Sequence, residues 1–193
     1  FFFFILLLLL IGCSSNNQQN KKPNIVLILA DDLGTEVLGS YGGTTYYTPN
    51  LDELAETGIR FNQCYSSPVC SPSRVNLLTG RYGHRTGQEW GQLPENEITI
   101  GHILTDAGYK TAIAGKWQME LLKNNPDHIE ESGFNESCVF GWHEGPRYHE
   151  PMIYQNGKVL ENVKDQYGPD IYSQFIIDFI RENRDTNFFA FYS

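Results

Sequence analysis

The chain predicts an α/β fold, a mostly parallel central sheet with helices on both faces, and three stretches carry that prediction. Asn24–Ala30 (NIVLILA) is an unbroken run rich in Val, Ile and Leu, the composition of a strand buried on both faces. Ile98–Ala107 is apolar at helical spacing, stops at Gly108, and leads directly into the strand-like Tyr109–Ala114. Asp170–Glu182 carries Ile171, Phe175, Ile176 and Phe179 as one stripe, and Asn187–Tyr192 (NFFAFY) then reads as a last strand. Strands separated by helices are the pattern of a sheet covered on both sides.

The elements between these follow from local chemistry. Pro49–Thr57 reads as a helix, with Thr48 as N-cap and Gly58 as its stop. Ile59–Tyr65 reads as another short strand. Pro72–Leu78 is a helix closed by Thr79 and Gly80. Residues 118–169 are rich in Gly, Pro, Asn and charge with weak periodicity, so they read as an excursion facing the site. With 193 residues, 40% hydrophobic and 13% aromatic, the chain has material for a sizeable core. It contains no repeat and no sign of a second domain.

A net charge of −9 argues against a broad polyanion-binding surface, so an anionic ligand would need a local cationic pocket. There is no basic run, no zinc-type cysteine pair and no glycine-rich nucleotide loop. Nucleic acid is therefore not expected as a partner.

Candidate site residues fall in three places. Asp31 and Asp32 end the first strand, and in open α/β sheets sites collect at the carboxyl ends of strands. Adjacent carboxylates raise each other's pKa; a hard divalent cation removes that penalty, and calcium prefers oxygen ligands. A helix cap or solvated turn is the plainer reading of the pair. In Cys70–Arg81 (CSPSRVNLLTGR), Cys70 and Arg74 stand one helical turn apart and share a face if a helix begins near Pro72. A lone cysteine would read as a small buried thiol. Lys116, in Ala114–Trp117 (AGKW), lies at a strand end between Gly and Trp, whereas lysines are usually exposed.

Taken together these segments resemble the type I, formylglycine-dependent sulfatase family. Cys70–Arg81 reads Cys-x-Pro-Ser-Arg-x-x-Leu-x-Thr-Gly-Arg, which looks like the full sulfatase signature. Lys22–Asp32 (KPNIVLILADD) is similar to the family's N-terminal metal motif, and AGKW to its Gly-Lys-Trp-His. Pro49–Phe61, Glu97–Gly115 and Asn187–Tyr192 resemble sulfatase segments in the same order, so the likeness covers about residues 23–193. It implies an alkaline-phosphatase/sulfatase-like fold, incomplete at the C-terminus, and an arylsulfatase-like sulfuric ester hydrolase acting on sulfated glycans or aryl sulfates.

The resemblance also implies roles. A formylglycine-generating enzyme would oxidise Cys70, whose hydrated aldehyde is the nucleophile. Asp31, Asp32 and the modified Cys70 would hold one calcium. Arg74 and Lys116 would be catalytic, and Lys116, Gln118 and His84 would bind substrate. Gln118 stands where the family has histidine; it can exchange hydrogen bonds but cannot carry a proton through a cycle, which leaves His84 as the nearest titratable group. The family's remaining metal ligands, sulfate-binding residues and proton donor fall beyond Ser193, so the chain reads as a partial sequence, inactive alone. The absent start methionine agrees. Two other classes remain: a phosphonate or phosphodiester hydrolase of the same superfamily, and a noncatalytic truncated lipoprotein.

Residues 1–12 read as a lipoprotein signal peptide with a truncated start, 13–22 as a polar tether, and 23–193 as the N-terminal part of the catalytic domain. Phe1–Ile11 is too short for a membrane span, and Leu10–Cys13 resembles a bacterial lipobox, which places the protein in the cell envelope, lipid-anchored to the membrane at Cys13. Cys64 and Cys138 are expected as buried thiols. His102 reads as structural, and His128, His143 and His149 as surface residues of the excursion. Arg81 is assigned a structural role. Trp142, Arg147 and Tyr148 are placed to contact substrate.

Overall fold

A computed structural model describes residues 22–86 and 92–193. Among these residues six strands form one sheet in the order β1-β6-β2-β3-β4-β5. In chain order, the elements are β1 (Ile25–Ile28), α1 (Pro49–Thr57), α2 (Cys70–Thr79), α3 (Gly83–Thr86) and α4 (Ile100–Asp106). Then come β2 (Lys110–Lys116), α5 (His128–Glu131), β3 (Glu136–Phe140), β4 (Tyr154–Gln155), β5 (Lys158–Val159), α6 (Gly168–Glu182) and β6 (Phe188–Tyr192). β1, β6, β2 and β3 run parallel, while β4 and β5 add an antiparallel hairpin at one edge. The predicted α/β class holds.

Side-chain alternation along the strands builds two cores. Ile113, Val139, Phe189 and Phe191 face one side and pack with Val75 and Leu78 of α2 and Leu104 of α4. Ala112, Ala114, Cys138, Phe188 and Ala190 face the other, against Tyr172, Ile176 and Phe179 of α6. The small alanines of β2 and β6 let α6 approach closely. Helices thus cover both faces, as the pattern predicted.

Several expectations are corrected. β1 is not buried on both faces: it lies at the sheet edge with Val26 and Ile28 exposed, 50% and 64%, while Ile25 and Leu27 pack inward. An edge strand pairs on one side only, and no described helix covers its outer residues. Ile59–Tyr65 forms no strand; it runs irregularly, with Ile59, Phe61 and Tyr65 exposed. The excursion 118–169 contains β3, α5 and the β4–β5 hairpin. β3 is ordered by long-range pairing, Ala112 with Glu136 through Lys116 with Phe140, a register that local periodicity cannot reveal. Cys64 is exposed rather than buried; Cys138 is buried as expected, and burial pushes its thiol up to about 12.

His128 is also buried, not on the surface. Its Nδ1 accepts from Trp117 Nε1 at 3.1 Å, and its Nε2 lies 3.1 Å from the Leu93 carbonyl. His102 is structural, closing a capping box with Thr99 at the start of α4. Residues 1–21, including Cys13, the signal segment and most of the tether, lie outside the described residues. Lys22, the last tether residue, donates from Nζ to the Ala107 carbonyl at 2.7 Å.

Candidate active site

Strand and helix ends deliver the polar residues to one rim of the sheet. β1 runs out through Leu29, whose amide still bonds the Tyr192 carbonyl at 2.8 Å, before the chain turns away at Asp31 and Asp32. Asp32 adopts a left-handed φ of 55°, a conformation that aspartate tolerates better than bulkier residues. α2 begins at Cys70, earlier than the predicted Pro72, so Pro72 sits in the first turn, where its missing amide hydrogen costs nothing. Cys70 and Arg74 then follow one another along one face.

β2 ends at Lys116 through Gly115, at φ 97°, where an added Cβ would run into the Ser193 carbonyl at the end of β6. Glycine is required at that close approach.

These ends meet in one charged network. Asp31 accepts Arg74 Nη2 on Oδ1 at 3.2 Å and Lys116 Nζ on Oδ2. Arg74 is 1% exposed; its Nη1 also donates to the Lys116 carbonyl at 3.0 Å and to Ser193 Oγ, while its Nε has no partner among the described residues. Burial works to raise the Asp31 carboxyl, but the hydrogen bonds and charges of Lys116 and Arg74 outweigh it and hold the group below the usual aspartate value. Arg74 and Lys116 thus more than neutralise Asp31, and with Asp32 beside them the four charges balance.

Two cavities adjoin the network. One, about 330 Å³, is lined by Asp31, Asp32, Ser67, Cys70, Ser73 and Arg74. The other, about 410 Å³, is lined by Asp31, Asp32, Lys116, Arg147, Tyr172 and Ser193, among others. The aspartates are common to both. Asp31, Asp32, Cys70, Arg74 and Lys116 are thus brought together. Gln118 and His84 are not among the residues lining either cavity. Gln118 is buried at φ 47°, its carbonyl accepting from Ser71 Oγ at 3.1 Å. His84 is exposed on α3, stacked on Tyr82 with ring centroids 6.0 Å apart. Arg81 ties Glu97 at 2.7 Å, the structural role expected of it. Sequence reading missed Ser193 and Tyr172; position at the carboxyl end of the last strand was a signal for the first, and nothing local marked the second.

Among the described residues no three His, Cys, Asp or Glu side chains cluster as a metal site. The two carboxylates on one cavity are nevertheless oxygen donors of the kind calcium takes, as part of a shell.

The sulfatase family model matches residues 23–193. The chain belongs to the sulfatase family. N-acetylglucosamine-6-O-sulfatase from Bacteroides thetaiotaomicron is 35% identical over 168 residues, which are 86% of this chain and 28% of that protein. The solved structure of BT4656 with its substrate D-glucosamine-2-N,6-O-disulfate matches with a TM-score of 0.75 and 32% identity, over 89% of this chain and 34% of that one. A Vibrio parahaemolyticus protein of the alkaline phosphatase superfamily shares the fold, with a TM-score of 0.57 and 22% identity over 90% of this chain and 40% of its own. This sulfatase-family chain therefore spans about a third of the length of these relatives.

Proposed function

We propose that the protein is a sulfuric ester hydrolase in which Cys70 is the precursor of the nucleophile. One arrangement supports this most: residue 70 opens a ten-residue helix and shares a cavity with Asp31, Asp32 and Arg74. A helix start presents free amides and positive partial charge, which favour an anion there. Oxidised by a formylglycine-generating enzyme and hydrated, residue 70 supplies two hydroxyls on one carbon, one to take the sulfate from its ester and one to expel it. Calcium, when bound, would polarise the sulfate oxygens and ease deprotonation of the attacking hydroxyl; Asp31, Asp32 and residue 70 would hold it.

The chain's own residues do the rest. Arg74, locked by the Lys116 carbonyl and Asp31, presents a preorganised cation whose position costs nothing at the moment of reaction. Lys116, its side chain 8% exposed, adds a second.

Both the bacterial relative and the disulfate-bound structure act on sulfated glucosamine, so a sulfated glycan or amino sugar is the favoured substrate. Full-length protein produced with the modifying enzyme is expected to hydrolyse para-nitrophenyl sulfate far faster than the matching phosphate or phosphonate esters. A preference for phosphorus would give the site to the sister class.

His84→Ala is expected to leave the pH–rate profile unaltered, because the ring is exposed and lines neither cavity. Loss of one limb would make His84 the proton carrier, a role typically worth about a hundredfold or more. Gln118→Ala should likewise leave the profile's shape unchanged, since an amide carries no proton.

The envelope location is also part of this reading. Cys13→Ser is expected to release the protein from membranes or to block its processing, read by fractionation; a wild-type N-terminus lying beyond Cys13 and free of lipid would mean ordinary secretion.

A further inference from the structure

The cavity beyond Lys116 carries a second cation that the Asp31 network does not use. Arg147 lines it, and among the described residues its side chain has no ion pair and no hydrogen bond. Its guanidinium lies over the Phe140 ring, 5.3 Å from the centroid. A guanidinium held over a ring in this way can still offer its N–H edge to two oxygens of an anionic group.

Tyr172 lines the same cavity. It is 4% exposed, yet its hydroxyl has no hydrogen-bond partner among the described residues. Burial, the nearby Cys138 and Tyr192 push its pKa up, so the phenol stays a donor. A buried hydroxyl without a partner is a cost the fold carries, and a ligand acceptor would remove it. At the rim Tyr148, 60% exposed, is stacked on Tyr167 with centroids 6.2 Å apart, an aromatic platform suited to the apolar face of a sugar ring.

We infer that this cavity is a subsite for a second sulfate on the same sugar unit, received by the Arg147 fork and the Tyr172 hydroxyl, with Tyr148 beneath the ring. Neither residue belongs to the Cys70–Asp31–Arg74–Lys116 network, so they set which ester is accepted rather than how it is cleaved. In a protein of net charge −9 such recognition has to be local.

This inference rests on the sulfatase reading, and a binding measurement separates the two. In the full-length Cys70→Ala protein, which cannot form the nucleophile, calorimetry is run with D-glucosamine-2-N,6-O-disulfate and with glucosamine 6-sulfate. The disulfate should bind about tenfold more tightly, the gain of one charge-assisted contact. Arg147→Gln and Tyr172→Phe should each remove most of that preference while changing monosulfate affinity by less than about twofold. Tyr172→Phe deletes only an unpartnered hydroxyl, so it tests the subsite even if Arg147→Gln disturbs the rim. Equal affinity for the two sugars, a preference that survives both substitutions, equal weakening of both ligands, or no binding of either would overturn the subsite. Turnover of para-nitrophenyl sulfate by protein with Cys70 intact decides the sulfatase reading independently.

Discussion

Cys70→Ala in the full-length, matured protein is expected to abolish sulfate ester turnover, lowering kcat by about 10⁴-fold or more. Removing a nucleophile leaves only the catalysis that binding and charge stabilisation supply unaided. Folding should be nearly untouched, within about 1 kcal/mol, because the side chain is only half-buried and makes no hydrogen bond among the described residues. Two measurements keep these effects apart. Thermal unfolding should be unchanged, and mass spectrometry of the Cys70–Arg81 peptide from wild-type protein should show the loss expected for thiol converted to aldehyde. An active enzyme with Cys70 still a thiol would defeat the mechanism, since a thiol cannot provide the second hydroxyl. Cys70→Ser makes the same point: it restores one hydroxyl, so it should accept sulfate and fail to release it.

The parts of the site written on contiguous residues were legible beforehand. Asp31 and Asp32 stand together at the end of an apolar run, Cys70 and Arg74 one helical turn apart, and Lys116 at a strand end. What could not be read is how they are joined. Arg74 and Lys116 meet one carboxylate from 43 and 85 residues away, and both depend on the parallel stacking of β1, β6 and β2. The fold divides in the same way. α6 and β6 announce themselves by period, whereas β3 is a short, mixed segment (ESCVF) whose order comes from β2 beside it. Composition alone misread β1, because an apolar run records what a strand could bury and not which neighbours reach it. Tyr172 sits on α6 as one more aromatic in a helical stripe; its unpartnered hydroxyl exists only in three dimensions.

Arg74 is the residue whose loss should be felt in both folding and rate. Its guanidinium is 1% exposed and joins three separate chain ends, through Asp31, the Lys116 carbonyl and Ser193. Arg74→Ala therefore opens a cavity, leaves the Lys116 carbonyl with Ser193 Oγ as its one remaining side-chain donor among the described residues and removes one of two cations from Asp31, a combination worth about 3–5 kcal/mol of stability. Arg74→Lys keeps the charge but not the fork, so it should recover part of the stability and little of the rate. Lys116→Gln provides the contrast. It removes a single cation from Asp31 while Arg74 remains, so the fold should survive. With one preorganised donor to the transferring sulfate gone, kcat should nevertheless fall by roughly 10²–10³-fold with a smaller change in KM. The decisive comparison is the ratio of the two losses, measured by urea unfolding and steady-state kinetics on the same samples. If both cations serve only to hold Asp31, rate and stability should fall together in all three variants. If they neutralise charge on the sulfate, Lys116→Gln should lose rate out of proportion to stability, and that separation is the expected result.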